Sequence, residues 1–248
     1  MAGDPEFWHR RYTQQVCWSL WVRRYIFDKI SASIHQRILE VGCGSGAVLQ
    51  SLAEDGFSNV IGLDIDYEPL QMAFPKAVSN ADAYKIPFSH NSFEICLCHF
   101  FLLWVTDSLK MLKEMARVTK PGGWVIALAE PDYGGRIDFP SELEPLGQAQ
   151  VLALQDQGAD TFIGRKLKGL FTDSGFTDIQ SGIISAEWGQ DFNKTDFELE
   201  WSVLRKDLEG CFSPEELDKY YETDLEASRE GRRILFVPIF YAFGRVPE

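Results

Sequence analysis

The stretch ILEVGCGSG, residues 38–46, decides the fold. Four residues of mostly apolar character run directly into Gly42-x-Gly44-x-Gly46, and AVLQSLAE (47–54) follows with helical spacing. A short apolar run without polar alternation reads as a strand covered on both faces, the pattern of a parallel sheet. The glycines allow a sharp turn and a close backbone approach to a ligand, and the helix that follows offers N–H groups at its start. Dinucleotide binders space these glycines as G-x-G-x-x-G. Here the third glycine comes one residue early, which argues against a nicotinamide enzyme.

The same alternation continues outward. NVIGLD (59–64) reads as a second buried strand, Tyr67 to Phe74 as a helix stopped by Pro75, and FEICLC (93–98) as another strand. Asp107 is placed to cap a helix ending near Thr119; Lys120-Pro121-Gly122-Gly123 reads as a turn, and WVIALAE (124–130) as a strand. Strand and helix in alternation predict a doubly wound α/β fold with a mostly parallel sheet and helices on both faces. Further along, 141–157 and 165–172 read as helices. Segments 178–186 and 233–245 read as a late strand pair.

Residues 8–30 have aromatic and aliphatic side chains at helical steps (Trp8, Tyr12, Trp18, Trp21, Val22, Tyr25, Ile26), with Arg10, Arg11, Arg23 and Arg24 between them. This predicts a helix with a core-facing stripe and a solvated basic face. Trp18 and Trp21 are expected in the core, whereas Trp8 and Tyr12 could fold over a ligand. AGDPEF (2–7) resembles a vector junction, so 1–7 is set apart from the fold.

The chain has 248 residues, 45% hydrophobic and 13% aromatic, with 24 basic against 37 acidic side chains and a net charge of −13. Segment 190–230 carries thirteen acidic and five basic residues, and Ser213-Pro214-Glu215-Glu216 marks a helix start there. Such a surface repels phosphate backbones, so nucleic acid and anionic membranes are not expected partners. The five cysteines are odd in number and scattered, which reads as free thiols in the cytoplasm. Cys96 and Cys98 lack a second Cys/His pair, and no metal site is expected.

Asp64, at the end of the second strand and about 20 residues past the glycines, can accept the hydroxyls of an adenosine ribose. Asp82-Ala83 then precedes Ile86-Pro87-Phe88, the strand FEICLC and KPGGWVIALAE. In this order, over residues 36–130, the set resembles the class I (Rossmann-like) S-adenosylmethionine (SAM)-dependent methyltransferase family. The resemblance implies a seven-stranded sheet, SAM as cofactor and S-adenosylhomocysteine as product. It also implies the parts residues would play. Glu40 and the backbone at Gly42, Cys43 and Gly44, in the turn completed by Gly46, would hold the methionine end. Asp64 would bind the ribose, Ile65 would pack on the adenine, and Asp82 and the Ala83 N–H would meet its edge. Cys98 and His99 would line the methyl-donor side. Only fifteen residues separate Asp66 from Asp82, so the second helix and third strand must be short. Asp66 reads equally as a helix cap or a ligand, and Asp82 also reads as a solvated loop acid.

Function in such sheets sits beyond the carboxyl ends of the strands. That selects His99 as a general base, or alternatively as a wall of the cofactor site. It also selects Glu130, Asp132, Tyr133 and Arg136 as acceptor contacts, with Tyr133 a second catalytic candidate. Tyr12 is expected at the cofactor. The expected organisation is an N-terminal helical lid (8–36), a SAM-binding core (37–131), an insertion (132–160), and a C-terminal half (161–248) with an acidic helical cap (190–230). The expected reaction is methyl transfer to a small molecule by in-line displacement. Action on a protein or nucleic acid, or SAM binding without turnover, are the alternatives.

Overall fold

The structure is a computed structural model describing residues 5–73, 77–184 and 192–248. It divides into two compact units. The first comprises Met1–Glu130, Ile163–Ile184 and Ile239–Glu248; the second comprises Pro131–Phe162 and Ser185–Pro238.

The first unit is built on strands β1 (Ile38–Val41), β2 (Val60–Asp64), β3 (Val78–Asn80), β4 (Phe93–Cys98), β5 (Thr119–Pro131), β7 (Thr177–Ile184) and β9 (Ile239–Arg245). The intervening strands, β6 (Ile137–Phe139) and β8 (Ile234–Phe236), belong to the second unit. The seven strands lie in the order β3-β2-β1-β4-β5-β9-β7. β1 pairs in parallel with β2 on one side and β4 on the other, so the chain reverses its direction of sheet-building between β1 and β4. That reversal opens a crevice beyond the carboxyl ends of these two strands, where ligands bind in open α/β sheets. β9 runs antiparallel to β7. This is the doubly wound, mostly parallel seven-stranded α/β fold. Helices α1 (Pro5–Lys29), α2 (Ala47–Glu54) and α3 (Tyr67–Leu70) pack together, as do α4 (Ser108–Val118) and α6 (Ile163–Asp173). The short α3 and the three-residue β3 follow from the few residues between Asp66 and Asp82. Pro75, expected to stop α3, lies outside the described residues.

Three local expectations change. The glycines at 122–123 do not precede β5. Thr119 already pairs with Phe93, and Lys120–Gly123 bulge out before Trp124 pairs with Ile95. The segment 233–245 is not one strand. Pro238 has no N–H to give a ladder, and the chain divides there into β8 and β9, which enter different sheets. The helix α1 is also turned relative to its aromatic stripe. Val16, Ser19, Val22, Arg23 and Ile26 face inward, while Trp18, Trp21 and Tyr25 are exposed. Arg23, expected in solvent, is 2% exposed because Asp55 neutralises it at 2.9 Å and Ser51 accepts a further bond at 2.8 Å. Residues 5–7 belong to α1, and Phe7 packs edge-on against Trp8.

The second unit joins residues 131–162 and the described part of 185–238 around its own core. Leu143, Leu146, Trp201, Leu204 and Leu208 are buried together, with Phe197 and Tyr221 against them. These come from α5 (Glu144–Asp156), α7 (Lys194–Asp207) and the residue that caps it, α8 (Pro214–Arg229) and the turn before α5. The acidic stretch thus carries a hydrophobic face of its own. Ser213 and Glu216 make the reciprocal bonds that start α8. β6 and β8 form an antiparallel pair.

Candidate functional site

The glycine turn is held from within. Gly42 and Cys43 both donate their N–H to the Leu63 carbonyl, at 2.8 and 3.0 Å, and Gly44 donates to Asp64 Oδ2 at 2.7 Å. The N–H groups that would have met a ligand therefore lock the end of β1 to the end of β2. Gly42 has φ +74° and Gly44 φ +48°, both left-handed, and both lack the space for a side chain. A Cβ on Gly42 would lie 2.2 Å from Phe101 Cδ2, and one on Gly44 2.9 Å from Tyr12 Cε2. Gly46, at φ +75°, starts α2. The Cys43 side chain lies against Gly62, and burial pushes its thiol far up.

Asp64 is held on both oxygens, by Gly44 N–H and by Asp66 N–H at 2.9 Å. The Ile65 N–H adds to these bonds in favouring the charged carboxylate. Burial raises its pKa. Ile65, beside it, is 72% exposed, an uncovered apolar surface at the strand end. Asp82 is exposed and caps the turn 83–85 through Tyr84 N–H at 2.8 Å; Ala83 is half-buried in that turn.

Glu40 is buried at the end of β1, and its Oε2 has no hydrogen-bond partner among the described residues. Burial first, then Asp64, drives its carboxyl well above the usual range; the Arg23 charge offsets this only in part. A buried carboxylate oxygen without a donor is costly. It needs a proton or a ligand that brings one.

The helix α1 lies along this cradle. His9 Nδ1 meets Ser45 Oγ at 2.8 Å, the Tyr12 ring covers Gly44, and Ser19 Oγ meets His99 Nε2 at 2.9 Å. With Arg23 these residues form a polar seam on one side of the helix. Burial and the charges of Asp64 and Asp66 push the Tyr12 hydroxyl up to about 12, as a phenol near two carboxylates requires. His9, Ser19 and Ser45 were not anticipated, although His9 stands one helical step from Tyr12 and Ser45 lies inside the glycine motif.

Residues 39–127 match the family model for a methyltransferase domain. Over these residues the chain carries a methyltransferase domain. A ubiquinone biosynthesis O-methyltransferase of Vibrio cholerae is 32% identical over 111 residues, 41% of this chain and 44% of its own length. A demethylmenaquinone methyltransferase of Renibacterium salmoninarum is 33% identical over 118 residues, 45% and 49% of the two chains. The chain thus spans about half the length of these curated relatives. Among solved structures, geranyl diphosphate C-methyltransferase from Streptomyces coelicolor, in complex with magnesium, geranyl diphosphate and S-adenosylhomocysteine, has the same fold. Its TM-score is 0.56 at 14% identity, covering 90% of this chain and 77% of that one.

Around this methyltransferase domain, several expected site residues have other partners. His99 is buried with Nε2 engaged by Ser19, and burial, aided by Arg23, lowers its pKa to about 3. It is neutral and a weak proton acceptor, which conflicts with its expected use as a general base. Cys98 is buried with its Sγ 3.9 Å from Glu130 Oε1. Glu130, expected at the acceptor, points inward and accepts three backbone N–H groups, from Phe101, Leu102 and Leu103. In the second unit, the Arg136 side chain is 8% exposed and bound to both oxygens of Asp138 and to Gln150, so its guanidinium is committed to partners within that unit. Asp132 is buried and caps the turn 133–135 through Gly134 N–H at 3.1 Å. Tyr133 begins that turn, half-buried, its N–H donated to the Thr161 carbonyl. Among the described residues, no group of three or more His, Cys, Asp or Glu is placed to hold a metal ion, and no helix is long and apolar enough to cross a membrane.

Proposed function

We propose that the protein transfers the methyl group of SAM to a small molecule. The observation that carries this reading is the cradle beyond β1 and β2: an orphaned, buried Glu40 oxygen, a restrained Asp64 carboxylate, and a Tyr12 ring over Gly44. These residues fit SAM. Glu40 suits the ammonium of its methionine end, Asp64 the two ribose hydroxyls, and exposed Ile65 one face of the adenine, with Asp82 and the Ala83 N–H at the ring edge. Cys98 and His99 form the buried floor at the end of β4. When bound, SAM supplies a methyl group already activated by its sulfonium.

What the chain adds is alignment and exclusion of water. The Tyr12 ring covers the glycine turn, and its raised pKa keeps the hydroxyl neutral. His99 keeps Ser19, and with it α1, at the end of β4. Proton removal from the acceptor is not assigned to His99. The small-molecule reading draws support from the quinone-pathway names of the relatives. It also agrees with the net charge of −13, which disfavours phosphate backbones.

Calorimetry with S-adenosylhomocysteine tests the reading. We expect micromolar binding, and Asp64→Ala should weaken it by about tenfold or more, since hydrogen bonds to a charged group contribute ~1.5–3 kcal/mol each. Binding of NADH without binding of S-adenosylhomocysteine would overturn it.

A further inference from the structure

The turn that follows β4 is fastened by one side chain. Glu130, at the end of β5, is fully buried. Its Oε1 accepts the N–H groups of Phe101 and Leu102, both at 3.0 Å, and Oε2 accepts that of Leu103 at 3.2 Å. The Cys98 thiol is directed at the same Oε1. Phe100 donates its own N–H to the Ala129 carbonyl at 2.8 Å, so β5 holds four successive residues of the turn.

This fastening holds a conformation the turn would not keep by itself. Phe100 has φ +49°, a left-handed backbone that a bulky residue rarely adopts and that persists only where its surroundings impose it. The payoff is the placement of the next ring. Phe101 lies against the Cα of Gly42, so close that no side chain fits there. Phe100 meets the exposed Trp18 of α1 edge-on at 6.3 Å and His99 at 4.9 Å. One carboxylate thus sets the contact between the turn after β4 and the glycine turn.

The geometry points to Glu130 as a positioning residue: it fastens the turn 100–103 to β5 so that Phe101 closes on Gly42, and cofactor affinity depends on that fastening. The inference rests on the reading of this cradle as a SAM site. A carboxylate has the shape for the task, because two oxygens can accept three neighbouring N–H groups where an amide oxygen serves two. Burial pushes the Glu130 carboxyl up to about 7 against the pull of those bonds. Near neutrality it therefore exists in part as a carboxylic acid, whose carbonyl oxygen still accepts. Gln resembles that neutral form, and Ala removes every acceptor.

The test compares Glu130→Gln and Glu130→Ala by calorimetry with S-adenosylhomocysteine and by hydrogen exchange at the amides of Phe101, Leu102 and Leu103. We expect Glu130→Ala to expose these amides and weaken binding by about tenfold, as for loss of hydrogen bonds to a buried acceptor. Glu130→Gln should recover most of both. Wild-type affinity in Glu130→Ala, or a Glu130→Gln variant as impaired as Glu130→Ala, overturns the proposal. If Glu130→Ala does not fold, Phe101→Leu decides, since an affinity unchanged by loss of the ring is incompatible with it. Failure of the wild-type protein to bind S-adenosylhomocysteine would instead sink the SAM reading. The amide protection would then still report on the fastening itself.

Discussion

At the scale of single residues, the site is made of positions where a backbone demand and a contact coincide. Gly42 needs a left-handed φ and has an aromatic ring where a side chain would stand. Left-handed backbone costs a residue with a Cβ about 1–2 kcal/mol before any clash. Gly42→Ala should therefore lower the unfolding midpoint and displace Phe101, with loss of S-adenosylhomocysteine binding. A variant with both properties intact would mean that the ring moves aside freely. Glu40 makes the complementary point. Its unpartnered oxygen is a cost in the chain alone, and an ammonium group would remove that cost.

At the scale of elements, α1 shows how a helix can be docked by polar contacts as much as by apolar ones. His9, Ser19 and Arg23 each reach a different element of the methyltransferase domain, at Ser45, His99 and Asp55. Ser19→Ala leaves His99 Nε2 buried without its partner, a penalty of about 1–3 kcal/mol. We expect faster hydrogen exchange along residues 8–25 in that variant. In the wild type, S-adenosylhomocysteine should protect both 38–46 and 8–25, while 194–230 changes least. Equal exchange of 8–25 with and without the ligand would make α1 a fixed wall rather than a cover.

At the scale of the whole molecule, the buried titratable groups pull stability in opposite directions with pH. Glu130 has its carboxyl raised from 4.5 to about 7. Between these values the folded chain keeps a proton that the unfolded chain releases, so this contribution is lost as pH rises through the window. His99 is lowered from 6.5 to about 3. Between those values the unfolded chain binds a proton that the folded chain does not, so stability is lost as pH falls below 6.5. Each group contributes about 1.4 kcal/mol per pH unit inside its window, and from 4.5 to 6.5 the two largely cancel. The difference in unfolding free energy between wild type and Glu130→Gln should thus change by a few kcal/mol from about pH 5 to about pH 7. A difference constant with pH would show that burial does not raise this carboxyl.

What the amino-acid sequence determined by itself is the order of elements and the cradle at the end of β1. β4 and α2 match their predicted bounds residue for residue, and the sheet is parallel where apolar runs alternate with helices. Asp64 stands beside the glycine turn because the one β-α-β unit spans both. These features depend on spacing along a short stretch, and a period of hydrophobicity or a run of glycines records such spacing. Only the tertiary structure decided which face of α1 is buried, because that is set by Asp55, Ser51 and His99, far along the chain from Ser19 and Arg23. The partners of Glu130 and Arg136 are of the same kind. A polar residue after a strand reads as a ligand contact until the N–H groups of Phe101–Leu103, or the carboxylate of Asp138, are seen to claim it. Burial turns such a side chain inward, since a charge removed from water must find its partners within the fold, and no local pattern says which partners those will be.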